Sequence, residues 1–570
     1  MRLLCRLLPC LVLAASAHAQ APLGGSPLAT AVSETFAGAE KRDGTLGNRV
    51  ALLENGYDAL LLRVHLIRHA QKSIAVQTFI WTNDECGRLL IYELIEAAKR
   101  GVKVRIIADH LFSNQEAEAV AFLATVHPNF EVRHYRPAME RLKPSRLQLL
   151  FAGLKSFRSL NQRMHNKVML FDESVLITGG RNNENTYYDH SPALNYRDRD
   201  VLAIGPVARM AAESFETFWD YRHVIPSREL ADVERVLAAG KYRRFPRRED
   251  WDFGGLFGVL DREADDAAVI ARRFADRLKP VERAQFLADE PGKGAGFFST
   301  TARITRELRG TLEQARTRIT MQTPYLVLSG PAQRLITAMQ QKNPGLVIRV
   351  STNSFASTDN LPAYSANYRL RGDYIEKLGL QVHEFKPHPA ARPLLFPNYE
   401  RMVARAKQLH GPDGKRPFLS LHAKSMVVDD RVAFVGSYNL DPRSENLNCE
   451  AGLLVEDAAL AQELRANIDR DLQPENSWII ARRELPLRLD LLNGLIDGVI
   501  SLTPLDIWPI QNTSSYELKP GAEEVPPGHP KFYERHRDVG SFPGADGALS
   551  TKEILTRLYK AVGTPLTPVL

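Results

Sequence analysis

Cysteine is scarce: four in 570 residues exclude a disulfide framework and a cysteine-rich zinc site. Cys5 and Cys10 fall in the first nineteen residues, leaving Cys86 and Cys449, far apart in the chain, as one disulfide or two free thiols. Histidines and carboxylates are scattered without ligand spacing, so no metal and no cofactor is expected. Long apolar runs are missing too. Past residue 19 nothing reaches the roughly 20 residues a spanning helix needs, which points to a soluble or peripheral protein. The excess of positive charge is modest, +7, and falls to +5 if Arg2 and Arg6 leave with the first nineteen residues. That suits anionic partners weakly.

What is present begins with MRLLCRLLPCLVLAASAHA, two arginines followed by an apolar run and the small-residue pattern Ala17-His18-Ala19. This is the form of a secretory signal peptide, with an exported, periplasmic or secreted location as its consequence. Residues 20–49, rich in Ala, Gly, Ser and Thr, are expected as a leader. The remaining divisions are a first repeat over 50–232, a charged helical connector over 233–295, a second repeat over 296–475 and a C-terminal extension over 476–570.

The repeats are carried by two stretches in one register. Met164–Asn182 reads MHNKVMLFDESVLITGGRN and Leu421–Asn439 reads LHAKSMVVDDRVAFVGSYN. His165, Lys167, Asp172, Gly179 and Asn182 recur as His422, Lys424, Asp429, Gly436 and Asn439. Upstream, Ser73–Trp81 (SIAVQTFIW), a helical stretch and Val102–Ala108 (VKVRIIA) are matched by Arg318–Tyr325 (RITMQTPY), a helical stretch and Leu346–Val350 (LVIRV). Gln77-Thr78 corresponds to Gln322-Thr323, and Arg105 to Arg349. A duplicated strand-helix-strand unit predicts an α/β fold of two sandwich repeats around one shared site, with right-handed crossovers.

Two imidazoles, two ammonium groups and two amides suit phosphoryl transfer through a covalent intermediate. One His attacks phosphorus while the other protonates the leaving alkoxide, then deprotonates the incoming alcohol or water. Lys167, Lys424, Asn182 and Asn439, with the small Gly180 and Ser437 beside the backbone, are the candidate phosphate-holding groups. Asp172 and Asp429 complete the motifs, holding the turns or acting ionically. A nucleophilic imidazole needs a carboxylate on its other nitrogen; the order of the repeats offers Glu450 for one and Asp200 for the other. Before each motif lies an insertion. Ala138–Arg163 mixes Leu142, Leu147, Leu149, Leu150 and Phe151 with basic residues and has no acid after Glu140. It reads either as contact with an anionic membrane surface or as a basic surface helix. Leu485–Leu502 is amphipathic and is expected as core packing.

These motifs resemble the phospholipase D superfamily, whose signature is a duplicated H-x-K-x4-D followed by G-[GS]-x-N. NQRMHNKVMLFD with GGRNN, TNSFASTDNLPAYSANYR and FVGSYNLDPRSENLNCEAG look like its bacterial cardiolipin synthase branch, in particular the C-type members. The resemblance covers most of the chain from about Val50 to Glu475. It implies two α/β/α repeats with mixed, largely parallel sheets and a phosphatidyltransferase making cardiolipin from phosphatidylglycerol and a second phospholipid, with phosphatidylethanolamine a candidate for the second. It implies a phosphohistidine on His165, with His422 as acid and base. A phospholipase D releasing phosphatidic acid and a nuclease are the other activities within this superfamily. The modest charge and the apolar insertions speak against nucleic acid, which favours a basic groove with stacking aromatics. Where the family commonly has Asp-Glu just before the aromatic that follows GGRN, this chain has Asn185-Thr186.

Overall fold

The computed structural model describes residues 23–39, 45–109, 116–145, 147–148, 161–294, 302–484 and 512–544. The apolar runs of the sequence become strands buried along most of their length, VLIT and DVLAI completely so. In the first half these are β1 (Asn48–Leu53), β2 (Ser73–Thr78), β3 (Lys103–Asp109), β4 (Phe130–Tyr135), β5 (Val168–Phe171), β6 (Val175–Gly179), β7 (Leu194–Arg197), β8 (Asp200–Ile204), β9 (Val224–Pro226) and β10 (Lys279–Val281). The second half contributes β11 (Arg283–Ala288), β12 (Arg318–Gln322), β13 (Val347–Asn353), β14 (Gln381–Phe385), β15 (Phe418–Leu421), β16 (Ser425–Val428), β17 (Val432–Gly436), β18 (Ala451–Glu456), β19 (Ser477–Arg482), β20 (Thr513–Leu518) and β21 (His536–Gly540).

Among the described residues the strands form two large sheets. One is ordered β10-β1-β8-β6-β5-β2-β3-β4-β9, the other β11-β18-β17-β16-β12-β13-β14-β19-β20-β21. Eight strands of each sheet correspond in order, from β1 or β11 at one side to β9 or β19 at the other. The duplication read from the motifs is thus a duplication of topology. Both large sheets are mixed, with parallel pairing inside them confined to β2-β3-β4 and β12-β13-β14, while β7 and β15 pair parallel in a separate two-stranded sheet. The expectation of largely parallel sheets is corrected here. Each motif folds back at its Asp as a tight hairpin, β5-β6 or β16-β17, and hairpins can only be antiparallel.

Crossover helices start where the sequence supplies caps. Asp84 accepts from Gly87 N ahead of Glu85–Lys99, and Ser329 accepts from Ala332 N ahead of Gly330–Lys342. Arg105 pairs with Glu216 on the helix Pro206–Trp219, and its counterpart Arg349 pairs with Asp469 on Ala458–Leu472. Those two helices and both sheets share one apolar core, in which Leu170, Leu176 and Val201 meet Val427, Val435 and Leu453. Burial on this scale joins the repeats into one body and fixes the relative placement of the two motifs.

Several expected boundaries shift. Within the leader, Leu28–Ala39 is a helix with Leu28 and Val32 buried in the core of the first repeat. The connector ends earlier than expected, because β11 already belongs to the second sheet. Beyond Glu475, β19 occupies the place that β9 has in the first repeat, and β20 and β21 extend the sheet past it. In the insertion before the second motif, Leu395, Phe396, Tyr399 and Met402 are buried against Leu419 and Leu421, as local core. Residues 146 and 149–160 of the first insertion, the signal stretch 1–19 and Leu485–Leu502 lie outside the described residues. No described helix is long and apolar enough to cross a membrane.

Candidate active site

His165 and Lys167 lie on the extended segment leading into β5, and His422 and Lys424 on the segment leading into β16. Each segment is clamped by the other repeat. His165 N donates to Cys449 O at 2.8 Å and Cys449 N to Arg163 O at 2.9 Å, while His422 N and Ala423 N both donate to Arg197 O, at 2.8 and 3.1 Å. In both cases the clamping residue immediately precedes a buried acid, so the backbone bonds carry that acid across to the opposite imidazole.

The result is two His–carboxylate dyads, each drawn from both repeats. His165 Nδ1 lies 2.8 Å from Glu450 Oε2, and His422 Nδ1 lies 2.7 Å from Asp198 Oδ2. A carboxylate at Nδ1 fixes the proton there and leaves Nε2 with its lone pair. Asp200, the expected partner, is not the one at His422. It is fully buried and bound to Arg63 at 2.9 Å and Arg181 at 3.4 Å. The ladder registers give the reason. Gly179 pairs with Asp200, whereas the equivalent Gly436 pairs with Gly452, two residues past Glu450. The residue equivalent to Glu450 is therefore Asp198.

Burial depresses His165 to about 4, with Lys167 and Lys424 adding to the effect and Glu450 opposing it. His422 is also lowered, by burial and then by Lys424. Lys424 Nζ sits 3.1 Å from His422 Nε2, and Lys167 Nζ donates to His165 O at 2.7 Å. Burial pulls Lys167 down to about 7 and Lys424 to about 8, each partly offset by Glu450 and Asp198. These are cations without compensating solvent, and a bound anion restores their charge. Sulfate, a dianion throughout, is expected to bind more weakly as pH rises through 7 to 9, by up to about tenfold per pH unit for each lysine that must take up a proton. Calorimetric titration across that range checks this, and Lys424→Met is expected to flatten the dependence.

Other motif residues support the dyads from outside the reaction. Asp172, for which holding the turn and acting ionically were both open, accepts from Leu23 N, Gln71 N, Lys72 N and Ser73 N at the hairpin end of β5, away from His165. Asp429 accepts from Arg316 N, Thr317 N and Arg318 N in the same way. Both tie a hairpin turn to the start of the neighbouring strand, which is a positioning role. Gly180 and Ser437, expected at phosphate, instead meet the dyad acids. A Cβ on Gly180 would fall 2.1 Å from Asp198 Oδ1, and Ser437 Oγ donates to Glu450 Oε2 at 2.5 Å. Asn182 accepts from Ile80 N and donates to the Tyr187 hydroxyl at 3.0 Å, so both ends of its amide are committed. Asn439 bonds Asp441, and its Oδ1 is buried without a partner.

Sequence reasoning missed Asp198, Tyr187, Tyr196 and Asp359. The Tyr187 hydroxyl stands 3.3 Å from His422 Nε2, and Tyr196 packs on the same ring. It also missed the buried lattice of Glu54, Arg197, Arg199, Gln322 and Asp471 between the repeats. The matching Gln77-Thr78 and Gln322-Thr323 pairs pointed towards that lattice, since Gln322 Nε2 donates to Asp471 there.

A doubled sandwich whose two His-x-Lys segments exchange carboxylates across a pseudo-twofold defines the phospholipase D-like class of fold. A family model described as cardiolipin synthase, PLD-like domain, matches residues 64–219 and 308–472, and the chain belongs to that family. Cardiolipin synthase C of Escherichia coli K12 is 30% identical over 413 residues, covering 72% of this chain and 82% of that protein. A Helicobacter pylori J99 protein described as uncharacterized is 30% identical over 467 residues, covering 80% of this chain and 85% of its own length. Among solved structures, phosphatidylserine synthase from Haemophilus influenzae matches with a TM-score of 0.50 at 17% identity over 79% of this chain and 93% of that one, a likeness of fold.

Proposed function

We propose that this protein is a phosphatidyltransferase that makes cardiolipin from phosphatidylglycerol and a second phospholipid. The observation that carries the reading is the pair of cross-repeat dyads, one offering a free imidazole nitrogen and the other an imidazole already engaged with a proton donor. Among the described residues His165 Nδ1 is bound and its ring is flanked by the edge of Phe79 at 4.7 Å, leaving Nε2 for attack. In the first step the Nε2 lone pair forms the N–P bond, the P–O bond to the headgroup breaks, and the departing alkoxide takes a proton from His422 Nε2. Glu450 offsets the positive charge that develops on His165. The anionic phosphodiester raises His422 on binding, which supplies the proton it gives away. In the second step the acceptor hydroxyl returns a proton to His422 Nε2 while its oxygen displaces His165 from phosphorus. Lys167 and Lys424 hold the non-bridging oxygens throughout.

The phospholipid class is supported by the likeness to a relative named cardiolipin synthase C. Contact with an anionic membrane surface is supported by the basic, apolar stretch before the first motif, where Met139 and Leu147 are 55% and 68% exposed. An exported location is supported by the signal-like first nineteen residues. The test is to incubate the protein with phosphatidylglycerol vesicles and follow products by mass spectrometry. Cardiolipin is the expected product. Phosphatidic acid alone would make the protein a phospholipase D, and no conversion, indistinguishable from His165→Ala, would overturn the reading.

A further inference from the structure

The surroundings of the two catalytic imidazoles differ in kind. Phe79 stands edge-on to the His165 ring, with centroids 4.7 Å apart. On the His422 side Tyr187 and Tyr196 lie with ring centroids 5.0 and 4.9 Å from the imidazole and 4.5 Å from each other. Tyr196 donates to Asp359 Oδ2 at 2.9 Å, and Tyr325 lies 3.1 Å from both oxygens of the same carboxylate. The repeats give this contrast meaning, because Ile80 and Tyr325 occupy equivalent positions, two residues past Thr78 and Thr323. One half of the site has become apolar and the other hydroxylic.

Asp359 differs from the dyad acids in being exposed, whereas Glu450 and Asp198 are buried. It is close enough to His422 and Lys424 for its charge to favour their protonated forms. A carboxylate has about four acceptor positions. Two phenols do not exhaust them, and the residue is exposed to solvent. The Tyr187 hydroxyl receives the Asn182 amide and, among the described residues, meets His422 Nε2 as the acceptor for its own proton, the place where an acceptor alcohol must bring its hydroxyl.

We propose that Tyr187, Tyr196, Tyr325 and Asp359 form the alcohol subsite on the His422 side, built for a polyol such as a glycerol headgroup. The inference rests on the phospholipid reading above and adds which alcohol is selected and by what. One hydroxyl of the polyol replaces Tyr187 at His422 Nε2. It passes its proton to that nitrogen as its oxygen bonds to phosphorus and the His165 N–P bond breaks. A neighbouring hydroxyl donates to Asp359. An alcohol with a single hydroxyl makes only the first contact. By reversal, the same subsite holds the glycerol that departs in the first step.

Competition between acceptors isolates this choice, since both alcohols compete for one phosphohistidine and the ratio of products is independent of how fast it formed. Phosphatidylglycerol vesicles are incubated with equal concentrations of deuterated glycerol and ethanol, and deuterated phosphatidylglycerol is compared with phosphatidylethanol by mass spectrometry. Wild type is expected to favour glycerol, and Asp359→Asn to lower that preference by about tenfold, the loss of one charged hydrogen bond. Tyr325→Phe, which leaves the carboxylate in place but loosens it, is expected to lower the ratio less, and it keeps the test open if the Asp359 variant does not turn over. A ratio unchanged in both variants, with turnover retained, overturns the subsite alone. A wild type that converts no phosphatidylglycerol overturns the lipid reading and the subsite with it.

Discussion

His422→Ala is expected to trap the covalent intermediate on His165 when the substrate carries a leaving group that needs no proton. With a p-nitrophenyl ester of phosphatidic acid, this variant releases one equivalent of p-nitrophenolate per site in a burst and then stalls, because no base remains to activate the acceptor. Mass spectrometry of digested protein should place the phosphatidyl group on His165. With phosphatidylglycerol the same variant stops before the burst, since the glycerol alkoxide leaves only with a proton. His165→Ala has neither phase with either substrate, and its turnover is expected to fall by about 10⁴ to 10⁶. The contrast between the substrates separates the roles of two residues that the fold makes nearly equivalent. Both imidazoles carry a buried carboxylate on Nδ1 and a lysine from their own motif. They differ at Nε2, where among the described residues His422 meets a phenol and His165 does not. A burst with the group mapped to His422 in the His165→Ala variant would reverse the assignment.

How much of this could be read from the chain depends on whether the signal was chemical or topological. The His, Lys, Asp, Gly and Asn of each motif were legible because five different residue types in one register leave little room for accident. The strand-helix-strand order followed from period and punctuation, with Gly101 closing the first crossover helix at a φ of 101°. The orienting acid of His422 was not legible. In RDRDVLAIG two acids stand two residues apart on a strand, so alternation gives them the same side, and only the pairing of β6 with β8 distinguishes them. The exchange of carboxylates between repeats was hidden too, since pattern within a repeat says nothing about which repeat a side chain faces. Gly180 was read as room for a phosphate and is room for Asp198, two anions with the same demand on space. The leader helix did leave a trace. Leu28, Val32 and Phe36 recur every fourth residue, a helical spacing submerged in small and polar residues.

Asp198 and Asp200 make opposite predictions, although each is a buried aspartate within three residues of the other's neighbours. Asp198 holds the proton on His422 Nδ1. Asparagine there keeps the volume beside Gly180 but can present its amide to the ring and stabilise the wrong tautomer, with the proton on Nε2. Turnover is expected to fall by about 10⁴, as for other imidazoles deprived of their orienting carboxylate, with little change in the thermal midpoint. Among the described residues Asp200 touches no imidazole and instead balances Arg63 and Arg181, which are themselves 4% and 1% exposed. Its replacement by asparagine leaves two guanidinium groups in a buried place with one charge fewer, at a cost of about 3–5 kcal/mol. The Asp200→Asn protein is therefore expected to unfold at lower temperature and lower urea concentration, while the fraction that remains folded turns over far faster than the Asp198 variant. Measuring activity per folded molecule, with folding followed by circular dichroism, separates the two effects. A stable but inactive Asp200→Asn together with an active Asp198→Asn would return the orienting role to Asp200, and with it the register that the sequence alone suggested.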